Sequence, residues 1–485
     1  MPLSPVVAAR AHLSRSGRRR DRVHGVFRPS RPDARAFATA SRYRGGPRRE
    51  PPMEPVVTRG APAKYRDVDM LRGYAALAVA LYHFLLAYVP PGRAPVAMDQ
   101  AGLIAERPFL LAIVNGHFMV AIFFVLSSFV LTKGLVSGTP RSRALAAMAK
   151  RLPRLLPLTL IGTLLPFLLF AAGLLPTQEA AQVSGSEWLD RSGGIKYWAP
   201  WPEPGLTGAA KDALHLFASG VSQYNSALWT MKYELFGSLL ALLGAMIIGA
   251  RRRPVLDAVL ITILAIAALE IHALCAICVT TVYVAKYLLD RPADIGPAPA
   301  AALIAAGLLL GSTFKSIPPS MITDDWMWTQ VQRLDWIVHG IGATALLLGM
   351  RGLARLREAD WWIGRQLGRL SFAIYVIHVP LQSAIGSQMM LALGHRPVPV
   401  IAAFFLSMTV IFMMAAGVAR IDELWVARLN RVFAPRPRPA GQAAAASSTD
   451  AASLSAAGAD AASTTALRRA GKAKRDTATS TPRPR

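Results

Sequence analysis

Long apolar runs broken by short polar stretches set the pattern of this chain. A helix needs about 20 mainly apolar residues to cross the ~30 Å hydrocarbon layer of a bilayer. Ten runs approach that length, at roughly residues 70–89, 117–136, 155–175, 228–249, 255–271, 273–289, 299–314, 334–350, 370–391 and 397–419. They predict an all-α fold, a polytopic integral membrane bundle of about ten transmembrane helices. The first run is too long, and lies too far from the N-terminus, to be a signal peptide. Glu270 and His272 mark a very short connection between the fifth and sixth runs.

Charge between the runs orients the bundle, because cytoplasmic loops carry an excess of Lys and Arg. Segment 137–154 holds Arg141, Arg143, Lys150, Arg151 and Arg154 with no acid. Segment 250–254 holds Arg251, Arg252 and Arg253, and segment 351–369 holds Arg351, Arg355, Arg357, Arg365 and Arg369. With ten spans, all three fall on one side together with both termini, which are therefore expected in the cytoplasm. The long segment 176–227, with three basic and five acidic residues, falls on the opposite side.

Composition adds a second kind of material. The 485 residues are 53% hydrophobic and 17% charged, yet the net charge is +26. Residues 1–66 carry 16 basic against 4 acidic groups, and residues 420–485 carry 12 against 5. Both ends are rich in Arg, Pro, Ala, Ser or Thr without apolar period, so both are expected to be disordered. The organisation read from the sequence is a basic tail over 1–66, a transmembrane domain over 67–420, and a juxtamembrane stretch with a low-complexity basic tail over 421–485. The first tail also reads as an Arg-rich transit segment, or as an over-extension with Met53 as the start. The tails lack the folded basic face or interleaved aromatics that nucleic acid requires, so no nucleic-acid partner is expected. Attraction to anionic lipid headgroups fits them. Two cysteines exclude a disulfide scaffold. Cys275 and Cys278 form a C-x2-C pair inside a run with no second pair, and read as packing residues, so no metal is expected.

Ionisable groups inside spans are costly and usually face a cavity or a partner. Arg72 and His83 are 11 residues apart, about three helical turns plus 20°, so they share one helix face with a rise of about 16 Å. Asp69 lies one turn before Arg72 and can pair with it. Gly73 permits close helix packing there. Arg72 would meet an anionic head group at the cytoplasmic mouth, and a neutral His83 deeper in can take a proton from a hydroxyl. Each also has a plain structural explanation, as an anchor and as an interhelical hydrogen bond. Ser127 and Ser128 form a small hydroxyl pair that suits helix packing. Arg151 and Arg154, three apart, suit a phosphate. Trp229 and Glu234 open the fourth span, and Ser371, Tyr375 and His378 form one polar face of the ninth.

Taken together these segments resemble membrane acyltransferase family 3, the multi-spanning O-acyltransferases that act on exported carbohydrates. The match rests on Asp69-Met-Leu-Arg72-Gly73 followed by His83, on Phe123-Phe124-Val-Leu-Ser127-Ser128-Phe129, on Arg151-Leu-Pro-Arg154, on Leu228-Trp229-Thr230 followed by Glu234, and on Leu367-Gly368-Arg369-Leu-Ser371-Phe-Ala-Ile-Tyr375 followed by His378. Two departures stand out. Ser128 occupies a position where the family usually has Gly, and Arg420-Ile-Asp422-Glu423 lacks the proline that often closes the last span. The resemblance implies transfer of an acyl group, usually acetyl, from cytoplasmic acyl-coenzyme A to a carbohydrate or glycolipid hydroxyl, in a multi-pass protein of the plasma or inner membrane. His83 would then be the general base, with Asp69, Arg72 and Glu234 in the catalytic set. Arg72, Arg151 and Arg154 would hold the coenzyme A phosphates. Trp229, Ser371, Tyr375 and His378 would contact substrate, with Ser371 or Tyr375 as oxyanion donor. The rival reading from the residues is a secondary transporter or flippase for a lipid-linked or anionic solute. Transporters often show internal repeats, and the two halves of this chain do not match one another.

Overall fold

The computed structural model describes residues 65–89, 112–195, 205–289, 295–312, 325–353, 356 and 361–433. Almost all of both basic tails, and the Trp198 and Trp201 region, lie outside the described residues. Among the described residues every regular element is helical. Six of the described helices are long and apolar enough to cross a membrane. They are α1 (Arg66–Tyr88), α2 (Gly116–Val136), α3 (Arg141–Ala171), α6 (Thr230–Ile248, entered through a 3-10 turn at Ser226–Trp229), α11 (Trp362–Leu393) and α12 (Pro397–Val432). The other four predicted spans also fall on helices. Three are short, namely α7 (Pro254–Leu269), α8 (Ala273–Val284, continued by a π turn to Leu289) and α9 (Pro297–Gly311). The fourth, α10 (Asp325–Gly352), carries Arg333, Asp335 and His339 in its middle. Two further helices, α4 (Thr177–Ser184) and α5 (Leu206–Ser219), lie in the long segment between α3 and α6.

The α1–α11 pair is the spine of the site. Gly73 packs on Gly368, His83 on His378 and Tyr88 on Ser383, each 295 residues further along. A constant offset means that the two helices run parallel. The close approach depends on glycine, since a Cβ on Gly73 would lie 2.5 Å from Leu367 Cβ and 2.7 Å from the Gly368 nitrogen. Small residues at such crossings let helix backbones meet where lipid offers no hydrophobic drive between helices. Helix α2 runs antiparallel to α1, with Gly116 against Tyr82 at one end and Tyr65 against Phe129 at the other.

Within segment 137–154, expected as a loop, residues 141–154 instead form the first half of the 31-residue α3. Prolines at 153, 157 and 166 sit inside this helix. Proline removes the hydrogen bond to the carbonyl four residues back, and side chains from elsewhere in the fold take up two of the three acceptors. Trp425 of α12 donates through Nε1 to Pro153 O at 2.7 Å, the carbonyl released by Pro157. Asn225 donates through Nδ2 to Gly162 O at 3.0 Å, released by Pro166, and to Val376 O at 2.8 Å, released by Pro380 of α11. One buried amide thus satisfies proline-vacated carbonyls on two helices. Its Oδ1 also caps the 3-10 turn by accepting from Ala227 N at 3.1 Å.

The turn before Asn225 is built to hold it. Ser222 donates to Asp212 of α5 at 2.6 Å, Gln223 N donates to the same carboxylate at 3.2 Å, and Asn225 N donates to Ser222 Oγ at 3.1 Å. Burial pushes the Asp212 carboxyl above its ordinary range, opposed by the Ser222 hydroxyl and the Gln223 N–H. Helix α12 continues past the expected span end to Val432 because Asp422 and Trp425 bind α3.

Candidate active site

A cavity of about 320 Å³ opens between α1, α2, α3, α6, α11 and α12. Six of the site residues predicted from the sequence line it: Arg72, Arg151, Arg154, Glu234, Ser371 and Tyr375. Asp69 does not; it lies one turn toward the mouth, half-exposed, 3.9 Å from Arg72. Glu234 was expected near the opposite face, and its position in the arginine cavity is a difference with a simple origin. It lies five residues past Trp229, about 7.5 Å deeper along the helix, where Ser127 donates to its Oε1 at 2.7 Å.

The arginines do not stand alone. Arg151 donates to Glu234 Oε1 at 3.0 Å and to Ser238 Oγ at 2.7 Å. Arg154 grips Asp422 with both terminal nitrogens. Arg369 pairs with Glu423 at the rim. Arg72 lies within electrostatic range of Asp69, Glu234 and Arg154. Four arginines and two carboxylates line the cavity itself, so the lining keeps a positive balance. Planar guanidinium forks suit phosphate as well as carboxylate, so the lining fits a polyanionic ligand head.

Two hydroxyls offered as oxyanion donors are committed to the backbone. Ser371 donates to Gly368 O at 2.8 Å, and Tyr375 donates to Ala227 O at 2.6 Å while accepting from Thr230 Oγ1 at 2.7 Å. Ser128 is likewise spent on packing, donating to Cys278 O at 2.6 Å. The two cysteines are fully buried and free, with Cys278 against Gly237.

His83 and His378 lie one turn beyond Tyr375, away from the arginines. Their Nδ1 and Nε2 atoms are 2.9 Å apart. The surrounding acceptors decide the tautomers of the neutral rings. His378 Nδ1 faces Tyr375 O at 2.8 Å, so it carries hydrogen and leaves a lone pair on Nε2. His83 Nδ1 faces that lone pair and Val79 O at 3.1 Å, so it too carries hydrogen. The lone pair of His83 is therefore on Nε2, which has no hydrogen-bond partner among the described residues. Trp188, from the turn after α4, covers the His83 ring at a centroid distance of 5.2 Å, and Ser186 holds that turn by donating to Leu86 O at 2.6 Å.

Trp229 belongs to neither group. It sits with Tyr233, His272 and Trp336 in an aromatic cluster at the end of the bundle where α2 begins. Sequence reasoning missed Asn225, Thr230 and Asp422 as site-forming residues. The internal prolines of the two helices are the signal that would have pointed to Asn225, since each leaves a carbonyl in need of a donor.

The model of a family described as an acyltransferase domain matches residues 65–416. No curated protein and no solved structure matches the chain.

Proposed function

The chain belongs to acyltransferase family 3 and is a membrane acyltransferase, and from that premise we propose that it moves an acyl group, acetyl in the simplest case, from cytoplasmic acyl-coenzyme A to a hydroxyl of an exported or surface carbohydrate. The observation that carries the chemistry is the His83–His378 pair, which leaves one imidazole lone pair on His83 Nε2, with His378 one helical turn beyond Tyr375, a residue that lines the positively charged cavity. On this reading the protein is a multi-pass protein of the plasma or inner membrane with ten crossings and both termini inside. The parallel run of α1 and α11 supports an odd number of crossings between them.

Each residue then has a defined task. Arg72, Arg151 and Arg154 hold the phosphates of the donor at the mouth, exchanging part of their carboxylate contacts for phosphate. The acyl-thioester arm runs inward past Ser127 and Thr230 toward Tyr375. His83 Nε2 takes the proton of the acceptor hydroxyl, and the oxygen attacks the thioester carbonyl. The C–S bond breaks and the coenzyme A thiolate takes the proton back from His83. His378 accepts the Nδ1–H of His83 throughout, orienting the ring and favouring the imidazolium that forms in the step. It is a positioning residue here rather than a substrate contact, because it is fully buried and both its ring nitrogens are engaged. Glu234 holds Arg151 and Ser127 in place. The family match indicates a transferase, and no observation favours the transporter reading.

The test is release of coenzyme A thiol from acetyl-coenzyme A by the purified protein in nanodiscs, measured with and without polysaccharide extracted from cells lacking the protein. The expected result is polysaccharide-dependent release that His83→Ala abolishes while the protein still inserts and elutes normally. Full activity in His83→Ala would refute the base assignment.

A further inference from the structure

At the bundle end where α2, α6 and α8 begin, and beside the middle of α10, five rings meet. Trp336 forms the floor, 7% exposed. His117 stacks on it at 4.7 Å and 30°, and Trp229 and His272 each lie 5.8 Å away. Tyr233 stacks on His272 at 4.2 Å and 29°. His117 keeps 42% of its side chain exposed, and Trp229, Tyr233 and His272 are half-buried. The Asp335 carboxylate stands 4.0 Å from His117 Nδ1. His117 is also within electrostatic range of both His83 and His272.

From this arrangement we propose that His117, Trp229, Tyr233, His272 and Trp336, with Asp335, form the subsite that holds a sugar ring of the acceptor beside His83. The inference rests on the carbohydrate reading above and names where the acceptor sits. A packing cluster would bury all five rings, and a lipid-facing one would not combine two imidazoles with a carboxylate, since ionisable groups at membrane depth are retained for function. Aromatic faces carry partial negative charge, so they attract the C–H-rich face of a pyranose. The ring nitrogens and the carboxylate supply acceptors and donors for its hydroxyls. The chemistry contrasts with the arginine cavity. Arg333, in electrostatic range of His272, is paired with Glu270, so the platform suits a neutral polyhydroxylated ligand rather than a phosphate.

The test is steady-state kinetics in nanodiscs with acetyl-coenzyme A as donor and the extracted polysaccharide as acceptor. His117→Ala and Trp229→Ala are each expected to raise the acceptor KM about tenfold or more, with the donor KM within twofold of the parent. Trp229→Phe, which keeps a ring, should recover most of the acceptor affinity. An equal rise in both KM values, or none in the acceptor KM, overturns the subsite while leaving the carbohydrate reading intact. Acyl transfer by the parent protein to a non-carbohydrate acceptor alone overturns that reading and the subsite with it. Should Trp229→Ala fail to insert, the exposed His117→Ala carries the test by itself.

Discussion

At the mouth of the cavity nearly every charge is answered by another: Arg151 by Glu234, Arg154 by Asp422, Arg369 by Glu423. At the opposite end the recognition groups are rings and imidazoles, and the one carboxylate among them stands about 4 Å from its histidines. The histidine pair lies between the two. The contrast teaches how one bundle can bind a charged and a neutral ligand. Arginine forks held by carboxylates are already oriented, so a phosphate meets them with little side-chain entropy left to lose. Flat rings hold a sugar through contact area and tolerate changes in its hydroxyl pattern.

The sharpest way to break the comparison is to remove the group that joins the two ends. His83→Ala should lower acyl transfer about 10³-fold, within the range general-base catalysis supplies, with donor binding retained. Binding can be read by protection of the purified protein against heat on adding coenzyme A. Loss of that protection in His83→Ala would place His83 in the donor site and erase the division between the ends.

Next in size is a change that should damage both ends at once. Asn225→Leu removes the donor to Gly162 O and Val376 O, leaving two buried carbonyls without partners. One such orphan costs about 1–3 kcal/mol, so the expected loss is about 2–4 kcal/mol, read as a lower unfolding temperature in detergent. Restoring part of the α3 ladder by Pro166→Ala in the Asn225→Leu background should recover some of it, since the backbone N–H regained at that position can serve Gly162 O. No recovery would mean that Asn225 acts through the cap on Ala227 instead.

His378→Leu tests the positioning role. With only Val79 O, at 3.1 Å, left to accept the Nδ1–H, the His83 ring is held less firmly, and kcat should fall about 10- to 100-fold with the KM values of both substrates little changed. His378→Gln, whose amide oxygen can accept the same bond, should regain part of the rate. A KM change confined to one substrate would instead make His378 a binding residue.

The arginine end was legible because its spacing is local. Arg72 and the Ser371–Tyr375 turn follow from helical periodicity on single spans, Arg151 and Arg154 from standing three residues apart in one basic segment, and six predicted residues do meet at one cavity. The spans themselves were legible for the same reason, apart from the basic half of α3, whose charge and prolines read as loop. What periodicity does not carry is the register between distant helices. The 295-residue offset that sets His83 against His378 follows from glycine contacts at Gly73 and Gly368, and no local pattern in α1 names its partner. Glu234 was placed too far out because the depth of α6 depends on where its 3-10 turn is pinned, and Asn225 does the pinning from α3 and α11.

The smallest expected effect separates the two ends by charge alone. Exposed ion pairs weaken with salt, since the screening length falls from ~10 Å at 0.1 M to ~3 Å at 1 M. Arg72 and Arg154 are partly exposed, each with 27% of its side chain accessible, so phosphates bound there should feel the screening. Raising potassium chloride from about 0.05 to about 0.5 M, values chosen to span much of that range, should increase the acetyl-coenzyme A KM several-fold. The acceptor KM should stay nearly constant, because a neutral sugar on aromatic faces has no counter-charge to lose. Arg154→Ala should raise the donor KM about tenfold at low salt and flatten its salt dependence, since one of the screened contacts is gone. Both KM values come from one protein, so a general effect of salt on folding or on the nanodisc cancels in their ratio. A parallel rise in both would mean that the acceptor also carries charge, and would move its recognition away from the ring cluster and toward the arginines.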